Sequence, residues 1–141
     1  EIMINIENID FETIKNLIPQ ILELDESNSD IKLREQPSIY TLFATMQAEA
    51  IHLQTKTELT LDDTVARKQI AAKVSTTKKL TVADMEAIIA CDEEVKDCRK
   101  DSAEATYKVN LLKGVLRGLE HQKDCLIQIS ANKRKEKDLY T

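Results

Sequence analysis

An all-α chain organised around a long hairpin of antiparallel, coiled-coil-like helices is what the sequence predicts. Three observations carry this expectation. Only two glycines and two prolines interrupt 141 residues, 32% of residues are charged, and aromatics make up just 4%. That balance suits packed helices with thin aliphatic seams rather than a bulky mixed core. Apolar residues recur at three- and four-residue spacings along two long segments, as helices that bury one stripe require. Both glycines, Gly114 and Gly118, fall inside the longer of these segments rather than in turns. At this length the chain reads as one domain with a modest core. Within it, residues 1–30 form a short acidic helix and linker, and residues 31–141 form the hairpin.

Taken in order, Asp10 is placed to cap a short helix whose apolar stripe is Phe11, Ile14, Leu17, Ile18 and Ile21. Pro19 lies inside that stripe and is expected to kink or shorten the helix. Asp25 to Asp30 is a polar linker with turn chemistry, which predicts that the first helix is isolated from the main seam. Pro37 reads as the first helical residue of the next element, with Ile39, Leu42, Phe43, Met46, Ala50 and Leu53 on its apolar side. Thr60 with Asp63 resembles a capping box, so residues 37–74 read either as one helix or as two broken near Thr60. Ser75 to Lys79 is the expected bend. Thr81 with Asp84 then signals the start of a short helix over Met85 to Ala90.

The last helix begins with Asp92, Glu93 and Glu94 and ends among Lys133, Arg134, Lys135 and Lys137. Both placements complement the helix dipole. Its seam runs through Val95, Cys98, Ser102, Ala105, Val109, Leu112, Leu116, Leu119 and Leu126, mostly at alternating spacings of three and four. A helix of this extent reaches roughly 70 Å. Each glycine costs about 1 kcal/mol relative to Ala in a helix interior. Retaining two of them four residues apart implies a face that another helix or another copy approaches closely. Leu112, Gly114, Leu116, Gly118 and Leu119 are therefore the expected oligomer interface.

The net charge of −5 hides an asymmetry. Residues 1–63 carry 13 acidic and 4 basic side chains, residues 64–104 carry 8 of each, and residues 105–141 carry 4 acidic and 8 basic. Such a chain can meet a polyanion with one part while its acidic end meets a basic partner or shields the site. Three cysteines without CxxC spacing fit a reducing, cytoplasmic setting. No stretch approaches the ~20 apolar residues of a membrane span, and no signal-peptide pattern is present. The chain starts at Glu1 rather than Met, as when a few leading residues are missing.

Enzyme chemistry finds little to stand on. His121 and Cys125 share a helical face at a spacing two metal ligands can use, but no second pair stands at ligand spacing. No base and orienting group accompany a cysteine nucleophile, and no glycine-rich phosphate loop exists. No metal or cofactor is expected. Two basic clusters remain: Arg67, Lys68, Lys73, Lys78 and Lys79 around the bend, and Lys133 to Lys137 at the end. Helical cations neutralise phosphates without reading bases, although the aromatics that stack on single strands are scarce.

The order of these features resembles a known family. An acidic N-terminal helix and linker lead to a Pro-led helix, Gln36-Pro37-Ser38-Ile39-Tyr40-Thr41-Leu42-Phe43, which reaches the basic pair Arg67-Lys68. After a variable segment, Met85-Glu86-Ala87-Ile88-Ile89-Ala90-Cys91-Asp92-Glu93-Glu94-Val95 enters a long helix containing Tyr107, Leu111, Leu112, Leu119, Lys123 and Ile129. Over roughly residues 30 to 138 this is similar to the UvsY family of recombination mediators from T-even-type phages and their relatives. The resemblance implies a non-enzymatic protein that assembles into rings, commonly of seven subunits. It also implies binding to single-stranded DNA and help for a RecA-like recombinase in replacing single-strand-binding protein. The family's basic DNA-contacting motif corresponds to Arg67 and Lys68, with Lys73, Lys78 and Lys79 as neighbouring contacts. The aromatic residues that often follow are here Ile70, Ala71 and Ala72. The alternative expectation is a structural coiled-coil adaptor or virion assembly protein with no nucleic-acid role.

Overall fold

In a computed structural model, which describes residues 10–140, the described residues form four helices and no strand. They are α1 (Phe11–Leu22), α2 (Ser29–Ser75), α3 (Val82–Cys91) and α4 (Glu93–Tyr140). Residues 1–9 of the expected acidic N-terminal segment lie outside the described residues.

Local chemistry sets most helix ends. Asp10 caps α1: its carboxylate accepts the Glu12 N–H at 3.0 Å and the Thr13 hydroxyl at 2.8 Å. Pro19 lies within α1, yet the helix continues to Leu22. Asp25 closes the following turn by accepting from the Ser27 N–H and hydroxyl. Thr81 accepts the Asp84 N–H at 3.1 Å to start α3. Asp92 serves two helices: its N–H donates to the Ile89 carbonyl at the end of α3, and its carboxylate accepts the Val95 N–H at the start of α4.

α2 departs from expectation at its start, and of the two readings left open near Thr60 it takes the single helix. It begins at Ser29, so Pro37 is an interior residue rather than the first helical one. A proline inside a helix removes one hydrogen bond at a cost of about 3 kcal/mol or more. Packing on either side holds the helix through it: Gln36 and Phe43 are both buried, and Gln36 Nε2 donates to the Leu119 carbonyl at 2.7 Å. Thr60 does not cap a new helix. Its hydroxyl donates to the Lys56 carbonyl four residues back, as Thr45, Thr55 and Thr64 do to theirs. With its hydroxyl satisfied inside the helix, Thr60 no longer competes for a helix end, and α2 runs unbroken to Ser75.

The chain divides into two compact units. The first comprises Glu1–Glu49 with Asn110–Thr141. Here the start of α2 packs antiparallel against the end of α4, over a core of Phe43, Met46, Leu112, Val115, Leu116, Leu119 and Leu126. α1 joins this unit, contrary to the expected isolation by the polar linker. Ile14 is buried, and Gln122 Nε2 reaches the Ile21 carbonyl at 2.7 Å. Leu22 lies over Gly118, its Cδ1 2.9 Å from where a Cβ would stand. Lys133 ties the end of α4 to the turn before α2, donating to the Glu26 carbonyl and to the Ser29 hydroxyl.

The second unit comprises Ala50–Val109. Its core is thinner and made of smaller residues: Ala50, Ala72, Ile89, Val95 and Ala105, with Thr64 buried among them. The later part of α2 runs antiparallel to the start of α4, with Gln54 bonded to Thr106 and Thr64 beside Cys98.

Candidate nucleic-acid interface

The five predicted DNA-contacting cations all belong to the second unit, and they fall into two classes. Arg67 and Lys68, near the end of α2, face the start of α4. Arg67 Nη2 lies 2.6 Å from Glu94 Oε1. Lys68 Nζ lies 3.2 Å from both Asp92 Oδ2 and Glu94 Oε2. Two cations and two carboxylates thus form one closed, locally neutral cluster, in which Lys68 is the less exposed cation at 29% against 60% for Arg67.

Electrostatics within the cluster agree from both sides. Hydrogen bonds from Arg67 and then Lys68 hold the Glu94 carboxyl below the usual glutamate range. The Val95 N–H and then Lys68 do the same for Asp92. Bonding to Glu94 and then Asp92 raises the Lys68 ammonium, and Glu94 raises the Arg67 guanidinium. Each charge stabilises its partner's charged form. Pairs this exposed contribute little to folding; their consequence is for ligands. A phosphate approaching Arg67 or Lys68 competes with carboxylates already in place.

Lys73, Lys78 and Lys79 are exposed, at the end of α2 and in the connection to α3. From Arg67 to Lys79 the chain holds no acidic residue. At the other end of the chain, Lys133 is engaged with the turn before α2, which leaves Arg134 and Lys135 as exposed members of that cluster.

Four of the five expected oligomer positions have other duties. Leu112, Leu116 and Leu119 are buried in the core of the first unit. Gly118 faces Leu22, whereas a Cβ on Gly114 would meet nothing within 4 Å. The close approach that the glycines suggested is therefore made by α1 of the same chain, and at one glycine only. Among the described residues, no group of three or more His, Cys, Asp and Glu is placed to hold a metal ion, His121 and Cys125 included. Nor is any helix there long and apolar enough to cross a membrane.

Sequence reasoning found the cations but missed their partners. Asp92, Glu93 and Glu94 were legible as a helix start. Nothing in the local pattern singles out Asp92 and Glu94, across 24 to 27 positions, as the acids that meet Arg67 and Lys68. No protein-family model, curated protein or solved structure matches this chain. The likeness to UvsY-type mediators rests on its residue order alone.

Proposed function

We propose that this protein is a non-enzymatic, oligomeric mediator of recombination, acting in the host-cell cytoplasm of a phage infection. It binds single-stranded DNA and helps a RecA-like recombinase displace single-strand-binding protein. The observation that carries this reading is the acid-free run from Arg67 to Lys79, which presents Lys73, Lys78 and Lys79 to solvent beside the Arg67–Lys68 pair. Phosphate is the ligand such a run suits, because backbone contacts need charge and reach but no base-reading geometry. The recombinase and single-strand-binding protein enter from the family resemblance.

Asp92 and Glu94 give this reading a particular form. Lys78 and Lys79, exposed in the connection to α3, make first contact with the strand. Phosphates then exchange with the two carboxylates for Arg67 and Lys68. Binding by one subunit is correspondingly weak, and an oligomer multiplies it through effective concentration. Weak contacts per subunit also suit a mediator, which has to give up its strand to the recombinase.

Fluorescence anisotropy of a labelled oligothymidylate, titrated with the full chain over a salt series, tests the reading. Binding at low salt that weakens linearly in log affinity against log salt supports it; no binding at low salt rejects it. A second reading, as a structural adaptor, is favoured by one observation: Leu59, Ile70 and Val74 stand largely exposed on α2.

A further inference from the structure

Those exposed residues belong to a face. The inner side of α2 in the second unit carries the buried Ala50, Thr64 and Ala72 and the half-buried Leu53, Leu61 and Val65. Ile51, Thr55, Leu59, Asp62, Ala66, Ile70 and Lys73 follow one another at spacings of four, four, three, four, four and three. At 3.6 residues per turn they lie along the opposite side of the helix. Leu59 is 61% exposed, Ile70 64%, and Val74 on the flank 82%. The fold has no use for this stripe, since α2 already packs through its inner side. Large apolar side chains exposed along one helix face, interleaved here with Asp62 and Lys73, mark an interaction surface.

Charge along the same stretch identifies the occupant. From Glu58 to Ala66 the helix carries Glu58, Asp62 and Asp63 and no cation. From Arg67 to Lys79 it carries cations and no acid. Asp92 and Glu94 neutralise Arg67 and Lys68, so Lys73 is the uncompensated charge on this part of the face.

We propose that a second copy of the chain packs antiparallel on this face, about a two-fold axis near Ala66. That arrangement sets residues 58–63 of one copy against 69–74 of the other. Leu59 then meets the Ile70–Val74 stretch of its partner, and Glu58, Asp62 and Asp63 flank the partner's Lys73. A parallel arrangement would stack acids on acids and cations on cations. Ala66, at the axis, is small enough to let the helices approach, since interaxial distance follows the side chains at the crossing. The contact is isologous and closes at two copies. Thr55, Asp62 and Lys73 within the stripe make the pairing reversible rather than permanent. This assignment moves self-association from the α4 positions, of which all but Gly114 are occupied within the first unit, to α2. It does not depend on the nucleic-acid reading.

Sedimentation velocity of the full chain over a concentration series tests it. Wild type is expected to shift from monomer to dimer as concentration rises. Leu59→Asp with Ile70→Asp should weaken the association by at least roughly tenfold, with helical circular dichroism unchanged because both positions are exposed. Asp62→Lys with Asp63→Lys should be monomeric alone, as should Lys73→Glu alone. Mixing those two variants should restore a dimer, because each reversed segment then faces its opposite. A wild type that stays monomeric, an apolar-face variant that associates like wild type, or a mixture that fails to pair would each overturn the proposal.

Discussion

Glu94 holds Arg67 at 2.6 Å and Lys68 at 3.2 Å, one carboxylate oxygen for each cation. The two residues that resemblance marks for phosphate are therefore already satisfied by an acid of the same unit. Removing the acids and removing the cations have opposite expected effects. Asp92→Asn with Glu94→Gln frees two charges and is expected to tighten single-stranded DNA binding several-fold. Arg67→Ala with Lys68→Ala leaves two carboxylates unpaired and should weaken it. The log–log salt slope should become shallower by about 0.7 for each lost contact. Equal affinities for both double variants and wild type would place the DNA path elsewhere, with Arg134 and Lys135 the next exposed cations to replace.

Acid should open the same cluster. Asp92 and Glu94 titrate below their ordinary values of 3.8 and 4.5 in the folded chain. Their contribution to stability is thus fully present at neutral pH and lost as pH falls from about 4.5 through the lowered values. Lys68 is raised above 10.5, so its contribution is present below that value and lost as pH rises through the raised one. Thermal melts should show a plateau between these limits. The acid-side decline should shrink in the Asp92→Asn, Glu94→Gln variant. An unchanged acid limb would show that other carboxylates govern it.

The two glycines should respond differently. At Gly114 a Cβ meets nothing within 4 Å, so Gly114→Ala should stabilise the chain by about 1 kcal/mol through helix propensity alone. At Gly118 the new methyl pushes on Leu22 Cδ1, the mobile end of a side chain, and Gly118→Ala should fall short of that gain. Gly118→Leu should displace α1 altogether, read as protease sensitivity appearing between residues 11 and 28. Equal gains at both sites would mean that Leu22 does not pack there.

α1 should behave as part of its unit. Ile14→Ala is expected to cost about 2–4 kcal/mol, as deletion of a buried branched side chain does. Gln122→Ala strips the Ile21 carbonyl of its partner and should cost about 1–3 kcal/mol. Chemical denaturation measures both. Losses under a few tenths of a kcal/mol would return α1 to the role of a free arm.

Local chemistry was legible in the sequence, and contacts between distant segments were not. Asp10, Thr81 with Asp84, and the Ser75–Lys79 bend could each be read from two or three neighbouring residues, because capping is a short-range bargain between a side chain and nearby N–H groups. The α4 leucines were legible from spacing. Pro37 misled because tertiary packing overrode local preference, and Thr60 left one helix or two undecided because nothing local shows that its hydroxyl bonds back to Lys56. Leu22 over Gly118 joins positions far apart in the chain, as do Asp92 and Glu94 with Arg67 and Lys68. No periodicity encodes which acid of a helix start will meet which cation of another helix.

The central claim is that this chain binds single-stranded DNA through the acid-free run from Arg67 to Lys79. Its most direct test is the affinity of the full chain for a labelled oligothymidylate at low salt, compared with a variant in which Lys78 and Lys79, which lie outside the proposed dimer contact, are replaced by Gln. Wild type should bind and the double variant should bind at least several-fold more weakly, with a salt slope shallower by about 1.4 and unchanged helicity. Absence of wild-type binding, or a double variant with wild-type affinity and slope, would contradict it.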